Sequence, residues 1–382
     1  MDLAGAPPTI VEGLFCYDIG GGERIAADVA MGFQRRGFRV LAFGMYGNEG
    51  PLRQELEAAD IECVDLNYLT RSRITRRVTY QAELFRFLRR ERVAALHMHY
   101  GTALIVAGRA AQLARVPRVV VTEHATHQYE ENARYRAATS RRTHLASAIT
   151  VVHANQANYW VNTLRADRDR IFHIPNGVRI PAKRPDRNLA LRAEYGVAPA
   201  DFLFIALGRL HETKDLPTLL AAFEKVVSQC ANAKLWLVGE GPERGRLESL
   251  IRERQLGARV TLLGARQDVM AVLAAGDALA MSSRTEGMPM ALLEAMACRV
   301  PCVATSVGGV PHLLREGAGL TVPPHAPQAL AEQMQRLVCD PTLRNDLGER
   351  GLHRVRADHD LEHSVTRYLE LFGLPAEWPP RP

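Results

Sequence analysis

Phe202-Leu203-Phe204-Ile205-Ala206-Leu207-Gly208-Arg209-Leu210-His211-Glu212-Thr213-Lys214-Asp215 joins an unbroken apolar run to a polar turn, and a helical pattern follows at 216–227. A short apolar run without alternation suits a strand buried on both faces, the setting of parallel sheets with crossover helices. The unit repeats on either side. Strands are expected at 10–15, 39–43, 94–97, 118–122 and 148–152, and the pattern restarts with 202–207, 234–238, 260–263, 278–281 and 301–304. Between the two series lies Ile174-Pro175-Asn176-Gly177-Val178-Arg179-Ile180-Pro181, then Lys183-Arg184-Pro185, a Pro- and Gly-rich join. The expected fold class is therefore α/β, with two doubly wound Rossmann-like domains at 1–178 and 179–357 facing across a cleft. Ligands of such sheets bind at the carboxyl ends of the strands. A length of 382 residues, more than one core usually serves, agrees with two domains.

The turn after 202–207 carries two cations. Arg209 offers a fork that matches phosphate oxygens, and Lys214 adds a point charge near a helix start, where the helix dipole also favours anions. Ordinary surface charge is the plainer reading, but a strand end is where a ligand lies, and the pair suggests a diphosphate. Downstream, Arg284-Thr285-Glu286-Gly287-Met288-Pro289-Met290-Ala291-Leu292-Leu293-Glu294 sets two carboxylates around a helix start. Pro289 suits a first turn and Gly287 a sharp bend, so Glu286 is expected in the loop and Glu294 inside the helix. Carboxylates only accept hydrogen bonds, so the two can hold separate sets of sugar hydroxyls; a capped helix with an outward Glu294 is the alternative.

Other turns add to this. Gly20, Gly21 and Gly22 follow the first strand and lead into a helix expected near Ile25, where free amides and the helix dipole favour a phosphate; a tight turn alone would need fewer glycines. Gly239-Glu240-Gly241-Pro242 follows 234–238 and looks like part of a dinucleotide fingerprint. Its third glycine, Gly245, is one residue late for GxGxxG and Pro242 interrupts it, which argues against a nicotinamide site. His97 and His99 alternate on a strand end; without a third ligand this pattern is more often packing than metal binding. His124, in Thr122-Glu123-His124-Ala125, sits just past an apolar strand, where a cleft residue belongs. No GxSxG elbow and no GxxxxGK loop occurs in the sequence, which removes the commonest hydrolase and P-loop readings.

Composition is that of a soluble globular protein, with no apolar run near the ~18 residues of a membrane span. The opening Met1-Asp2-Leu3-Ala4-Gly5 has no positive n-region, so a cytosolic protein is expected. Six scattered cysteines without a CxxC pair read as reduced thiols rather than a disulfide frame or zinc site. The net charge of +6 is unevenly placed: Arg71, Arg73, Arg76, Arg77, Arg86, Arg89, Arg90 and Arg92 face only Glu83 and Glu91. Interleaved with Ile74, Val78, Leu84, Phe85 and Leu88, they form a basic amphipathic pattern. It reads either as a solvated surface helix or as a peripheral membrane contact on anionic lipid; nucleic acid is disfavoured because no stacking-aromatic motif accompanies it.

In order and spacing these motifs resemble glycosyltransferase family 4, retaining enzymes of the GT-B fold, over nearly the whole chain. The resemblance is most specific in the Glu-x7-Glu pair Glu286 and Glu294 and in Pro301-Cys302-Val303-Ala304-Thr305-Ser306-Val307-Gly308-Gly309-Val310-Pro311. It implies a UDP- or GDP-linked sugar held by the second domain and a hydroxyl acceptor, such as a lipid-linked or cell-surface glycan precursor, held by the first. Glu294 would take the ribose and Glu286 the donor sugar, while Arg209 and Lys214 neutralise the departing diphosphate. Gly239, Gly241 and Arg266 would border the base, Gly308 and Gly309 the diphosphate, and His124 the transferred sugar. It also implies that no metal or other cofactor is required and that a last helix, from about 358 to 382, packs back on the first domain. The rivals are a sugar-nucleotide 2-epimerase on the same architecture and a non-catalytic sugar-nucleotide-binding protein.

Overall fold

A computed structural model describes residues 6–66, 76–125, 129 and 132–379, with the side chains of 76–78 left out. Two units emerge. One comprises residues 1–177 together with 361–382, and the other is the continuous stretch 178–360. The first contains β1 (Thr9–Leu14), β2 (Arg39–Gly44), β3 (Glu62–Cys63), β4 (Ala95–His99), β5 (Arg118–Glu123), β6 (Ala148–Val151) and β7 (Ile171–His173). They form one sheet in the order β3-β2-β1-β4-β5-β6-β7, and every pairing is parallel. The second contains β8 (Phe202–Leu207), β9 (Ala233–Val238), β10 (Val260–Gly264), β11 (Ala278–Met281), β12 (Cys302–Thr305) and β13 (Leu320–Val322). Their order is β10-β9-β8-β11-β12-β13, again all parallel.

Both sheets reverse winding direction next to their first strand, between β1 and β4 and between β8 and β11. That reversal splays the following turns apart and leaves a crevice at the carboxyl ends. Each unit has its own apolar core. Val11, Leu41, Leu96, Val121 and Ile149 build the first, and Phe204, Leu219, Phe223, Leu235 and Leu330 the second.

Several expectations are corrected. The edge strands β3, β7 and β13, of two or three residues each, are too short for any periodicity to register. The helix after the first glycine turn runs Gly21–Arg35, starting at Gly21 instead of near Ile25. Gly21 and Gly22 therefore lie in its first turn and only Gly20 precedes it. The basic segment is a helix over Arg76–Arg90, while Arg71, Arg73 and Ile74 lie outside the described residues. Its apolar face is already used: Leu84, Phe87 and Leu88 are buried in the first core and Phe85 packs against it. Arg86, Arg89, Arg90 and Arg92 are left as an exposed basic row.

The helix Leu361–Phe372 belongs to the first unit. Val365 sits where Gly32 has no side chain, Phe372 meets Phe33 at 5.5 Å between ring centroids, and Arg36 bonds Glu362 at 2.9 Å. Among the described residues no helix is long and apolar enough to cross a membrane. All six cysteines are free, with Cys302 donating to the Val300 carbonyl instead of facing a metal.

Candidate functional site

In the second unit, β8 delivers Arg209 and Lys214 to its carboxyl end and β11 delivers Ser282, Ser283 and Glu286 to the same edge, at the winding reversal. Lys214 closes a short 3-10 turn, Glu212–Lys214, capped by His211, whose Nδ1 accepts from the Thr213 amide. Asp215 then enters the left-handed region at φ 46° and opens the helix Leu216–Gln229, with Pro217 in its first turn. Such a conformation strains a non-glycine residue and persists only when neighbours fix it. They do: Ser282 Oγ donates to the carbonyls of Lys214 (2.8 Å) and Asp215 (3.0 Å), and the Arg284 amide donates to Thr213 O at 2.8 Å. The buried Asp215 carboxylate accepts from Thr218 Oγ1 at 2.8 Å and lies 2.9 Å from His325 Nδ1.

The outcome is a defined pair. Lys214 Nζ donates to Glu286 Oε1 at 2.5 Å, and Ser283 Oγ donates to the same oxygen at 2.6 Å. An ammonium has three donors, so two remain for another acceptor, and Oε2 of Glu286 is still available to hydroxyls. Arg209 is exposed, and among the described residues its guanidinium has no partner. With Gly208, Met281 and Ser283 the two cations line a pocket.

The neighbouring strand ends lock this loop. Thr305 Oγ1, on β12, donates to Ser283 O at 2.6 Å, and the Gly309 amide donates to Gly287 O at 2.8 Å. Gly308 has φ 53°, and any Cβ there would collide with the Glu286 carbonyl. On the other side Gly239 has φ 142° and its missing Cβ leaves room for the Gly208 carbonyl; Gly241 does the same for Leu210. Gly239, Gly241, Gly308 and Gly309 thus bring the turns after β8, β9, β11 and β12 into contact. The Gly309 amide is spent on this packing. Glu294 lies half-buried in the helix Met290–Ala297, with Pro289 just before its first residue. Arg266, after β10, forms a two-point pair with Asp268 (2.8 and 2.7 Å).

In the first unit, His124 follows β5 and its ring lies nearly coplanar with that of His99, edge to edge, at an interplanar angle of 9°. Tyr100 meets its edge, and the missing Cβ of Gly22 leaves room for the Tyr100 hydroxyl. The glycine turn is thus packed on the His124 corner. Glu12, alone among apolar neighbours on β1, is fully buried, and its Oε1 lies 2.5 Å from His99 Nε2 and 2.9 Å from His97 Nδ1. Burial pushes Glu12 up to about 7 and holds His97, His99 and His124 down to about 3. Glu12, His97 and His99 could in principle gather a metal ion. Glu12 Oε1 and His99 Nε2 are hydrogen-bonded at 2.5 Å, however, closer than the about 3.3 Å that separates two ligands of one tetrahedral zinc.

The serines after β11, Asp215 and Glu12 escaped the sequence reading. A lone carboxylate inside an apolar strand was the available signal for Glu12, since a buried charge needs partners.

Residues 19–180 match the family profile described as "Glycosyltransferase Family 4", and residues 189–354 the one described as "Glycosyl transferases group 1". The chain is 32% identical over 183 residues to N-acetyl-alpha-D-glucosaminyl L-malate synthase of Bacillus anthracis, covering 48% of each. It is 31% identical over 204 residues to the GDP-mannose-dependent monoacylated alpha-(1-6)-phosphatidylinositol monomannoside mannosyltransferase of Corynebacterium glutamicum, covering 50% of this chain and 52% of that one. The chain thus spans about half the length of the curated relatives it matches. The fold is similar to that of HepE from Anabaena in complex with UDP-glucose, at a TM-score of 0.83 and 21% identity over 96% of this chain and 99% of that one. With both halves matched and two doubly wound sheets in place, the chain belongs to glycosyltransferase family 4.

Proposed function

We propose that this chain is a retaining glycosyltransferase that moves a sugar from a nucleoside-diphosphate sugar to a hydroxyl acceptor. The observation that carries the reading is the free Arg209 beside the Lys214–Glu286 pair at the β8/β11 reversal. Breaking a sugar–phosphate bond builds negative charge on the diphosphate and positive charge at the anomeric carbon. Arg209 and the spare donors of Lys214 meet the first charge without reorganising. Glu286 is proposed to grip the donor sugar through Oε2, and Glu294 the ribose. The departing phosphate takes the acceptor proton, so attack occurs on the face it leaves. No covalent nucleophile is invoked, and the two cations do the work a divalent ion would do.

The first unit is proposed to hold the acceptor, with His124 at the transferred sugar. One relative reported above is named as GDP-mannose-dependent, and HepE is seen in complex with UDP-glucose. UDP and GDP are therefore both candidates. A lipid-linked glycan precursor is the preferred acceptor, reached from the cytoplasmic side. The exposed Arg86, Arg89, Arg90 and Arg92 row suits an anionic surface by charge alone, since the apolar face of that helix is buried.

Thermal-shift screening against UDP- and GDP-sugars, followed by incubation with a labelled donor with and without acceptor lipid in excess chelator, tests the proposal. A donor that raises the melting temperature and transfers its label only when acceptor is present is the expected result. An epimer formed from donor alone would assign an isomerase, and tight binding without turnover on any acceptor would assign a binding protein.

A further inference from the structure

A buried chain runs from Glu12 through His99 to His124, and its first two members have no part in the reaction as proposed. Glu12 Oε1 and His99 Nε2 are 2.5 Å apart, and His99 Nδ1 and His124 Nε2 are 2.7 Å apart. The far end, His124 Nδ1, is buried without a hydrogen-bond partner among the described residues. Each link holds a single proton, so the state at one end dictates the state at the other. With Glu12 protonated, its O–H donates to His99 Nε2, His99 Nδ1–H donates to His124 Nε2, and His124 Nδ1 carries a hydrogen outward. With Glu12 ionised, His99 Nε2–H donates to the carboxylate, His124 Nε2–H donates to His99 Nδ1, and His124 Nδ1 shows a lone pair. The two states differ by one proton, released at His124 Nδ1 while the negative charge appears on Glu12.

We propose that Glu12 and His99 are positioning residues that set the tautomer of His124, so that its Nδ1 accepts a hydrogen bond from a substrate hydroxyl when Glu12 is ionised and donates one when Glu12 is protonated. This rests on the place of His124 in the proposed reaction. The imidazoles remain neutral across ordinary pH because burial holds them near 3, and the group that changes is Glu12, near 7. Facing the chain are His97 from β4, Tyr100 just after it, Glu123 from β5, Glu23 from the helix Gly21–Arg35 and Tyr368 from the helix Leu361–Phe372. His97 turns its Nε2 to Thr122 Oγ1 at 2.7 Å, away from His124. Burial pushes Glu123 up to about 7 as well, but its bonds come from the Tyr129 hydroxyl and the backbone amides of Gly101, His124 and Ala125, so it touches His124 through the main chain and not through the imidazole.

The test follows the histidine ring nitrogens of the full chain by 15N NMR between about pH 5 and 9, alongside transfer kinetics. In the wild type, His124 should exchange its protonated nitrogen from Nδ1 to Nε2 as pH rises through the Glu12 titration. Glu12→Gln, whose amide cannot shift a proton, should freeze that exchange and remove the matching step from the pH profile of kcat. It should lower kcat by on the order of 10-fold to 10²-fold with little change in donor KM. His99→Gln, which breaks the relay in the middle, should freeze the exchange too, while Glu123→Gln should keep it. An exchange that persists in both Glu12→Gln and His99→Gln, or is missing from the wild type, overturns the relay whatever the transfer activity. An intact exchange with wild-type transfer by His124→Ala instead overturns the place of His124 in the reaction, and with it the functional half of the proposal.

Discussion

Lys214 and Arg209 carry the same charge but stand in different mechanical positions. The Lys214 ammonium is tied to Glu286, whose side chain is only 9% exposed, so removing it also releases a nearly buried carboxylate. Arg209 is exposed and bonded to nothing described, so its removal disturbs only what binds there. Both Arg209→Ala and Lys214→Ala should lower turnover by ~10²-fold or more, as loss of one preorganised charge does. Only Lys214→Ala should also lower stability, by about 1–2 kcal/mol, with Arg209→Ala within about 0.5 kcal/mol of wild type. Steady-state kinetics with the cognate donor and urea unfolding of each variant separate the cases, and near-normal turnover in both would remove the phosphate assignment. At this scale the sequence was informative where residues lie close along the chain. The strand-end placement of Arg209 and Lys214, the loop placement of Glu286 and the helical placement of Glu294 were legible because strand-end and helix-start patterns are local. Glu12 was not, because its partners sit on β4, where Glu12 pairs with His97 across the sheet, and no spacing rule connects them.

At the level of elements, the site is an edge where turns lean on one another, and the glycines are the points of contact. Gly308 combines a left-handed φ of 53° with a missing Cβ that would overlap the Glu286 carbonyl, so strain and collision act together. Gly308→Ala should therefore push the turn after β12 away from Glu286 and weaken both the sugar grip and the fold. The expected loss is more than about 1 kcal/mol of stability, with donor affinity reduced several-fold. Gly245→Ala, in the helix Arg244–Glu253 with nothing within 4 Å of the added methyl, is the control: it should leave donor affinity unchanged and stability the same or higher by up to about 1 kcal/mol. Equal behaviour of the two variants in donor titration and unfolding would show that the β12 turn does not support Glu286. The long buried strands could be read from their apolar runs to within a residue or two, since burial on both faces leaves no other composition for them. The two- and three-residue edge strands β3, β7 and β13 could not, and neither could the start of the helix Gly21–Arg35. A glycine in a first helical turn looks the same in sequence as a glycine in a loop, and it is the Arg24 amide donating to Gly20 O at 2.8 Å that marks where the helix begins.

Over the whole molecule, the two units differ in how the chain builds them. The second is continuous, and its ends are tied by the bridge between Val178 and Asp360 and by the Val178 amide donating to His359 O at 2.9 Å. The first is completed only by the last helix, which buries Leu361, Val365, Tyr368, Leu369 and Phe372. At about 1.5–3 kcal/mol for each buried large side chain, that face is comparable to the entire stability of an ordinary domain, about 5–15 kcal/mol. The helix also bonds Thr122 through Tyr368 at 3.0 Å, which ties it to β5, the strand that His124 follows. A chain ending at Asp360 should lose the first unit as a cooperative structure and retain the second. Hydrogen exchange reads this directly: amides of β1, β4 and β5 should lose protection, and those of β8, β9 and β11 should keep it. The truncated chain should still show a thermal shift with the cognate nucleoside diphosphate, whose proposed contacts lie in the second unit, but should transfer no sugar. Undiminished protection of β1 and β5 would mean that the first unit stands without its returning helix, and the apolar face on Gly21–Arg35 would then have to be covered by something other than residues 361–372.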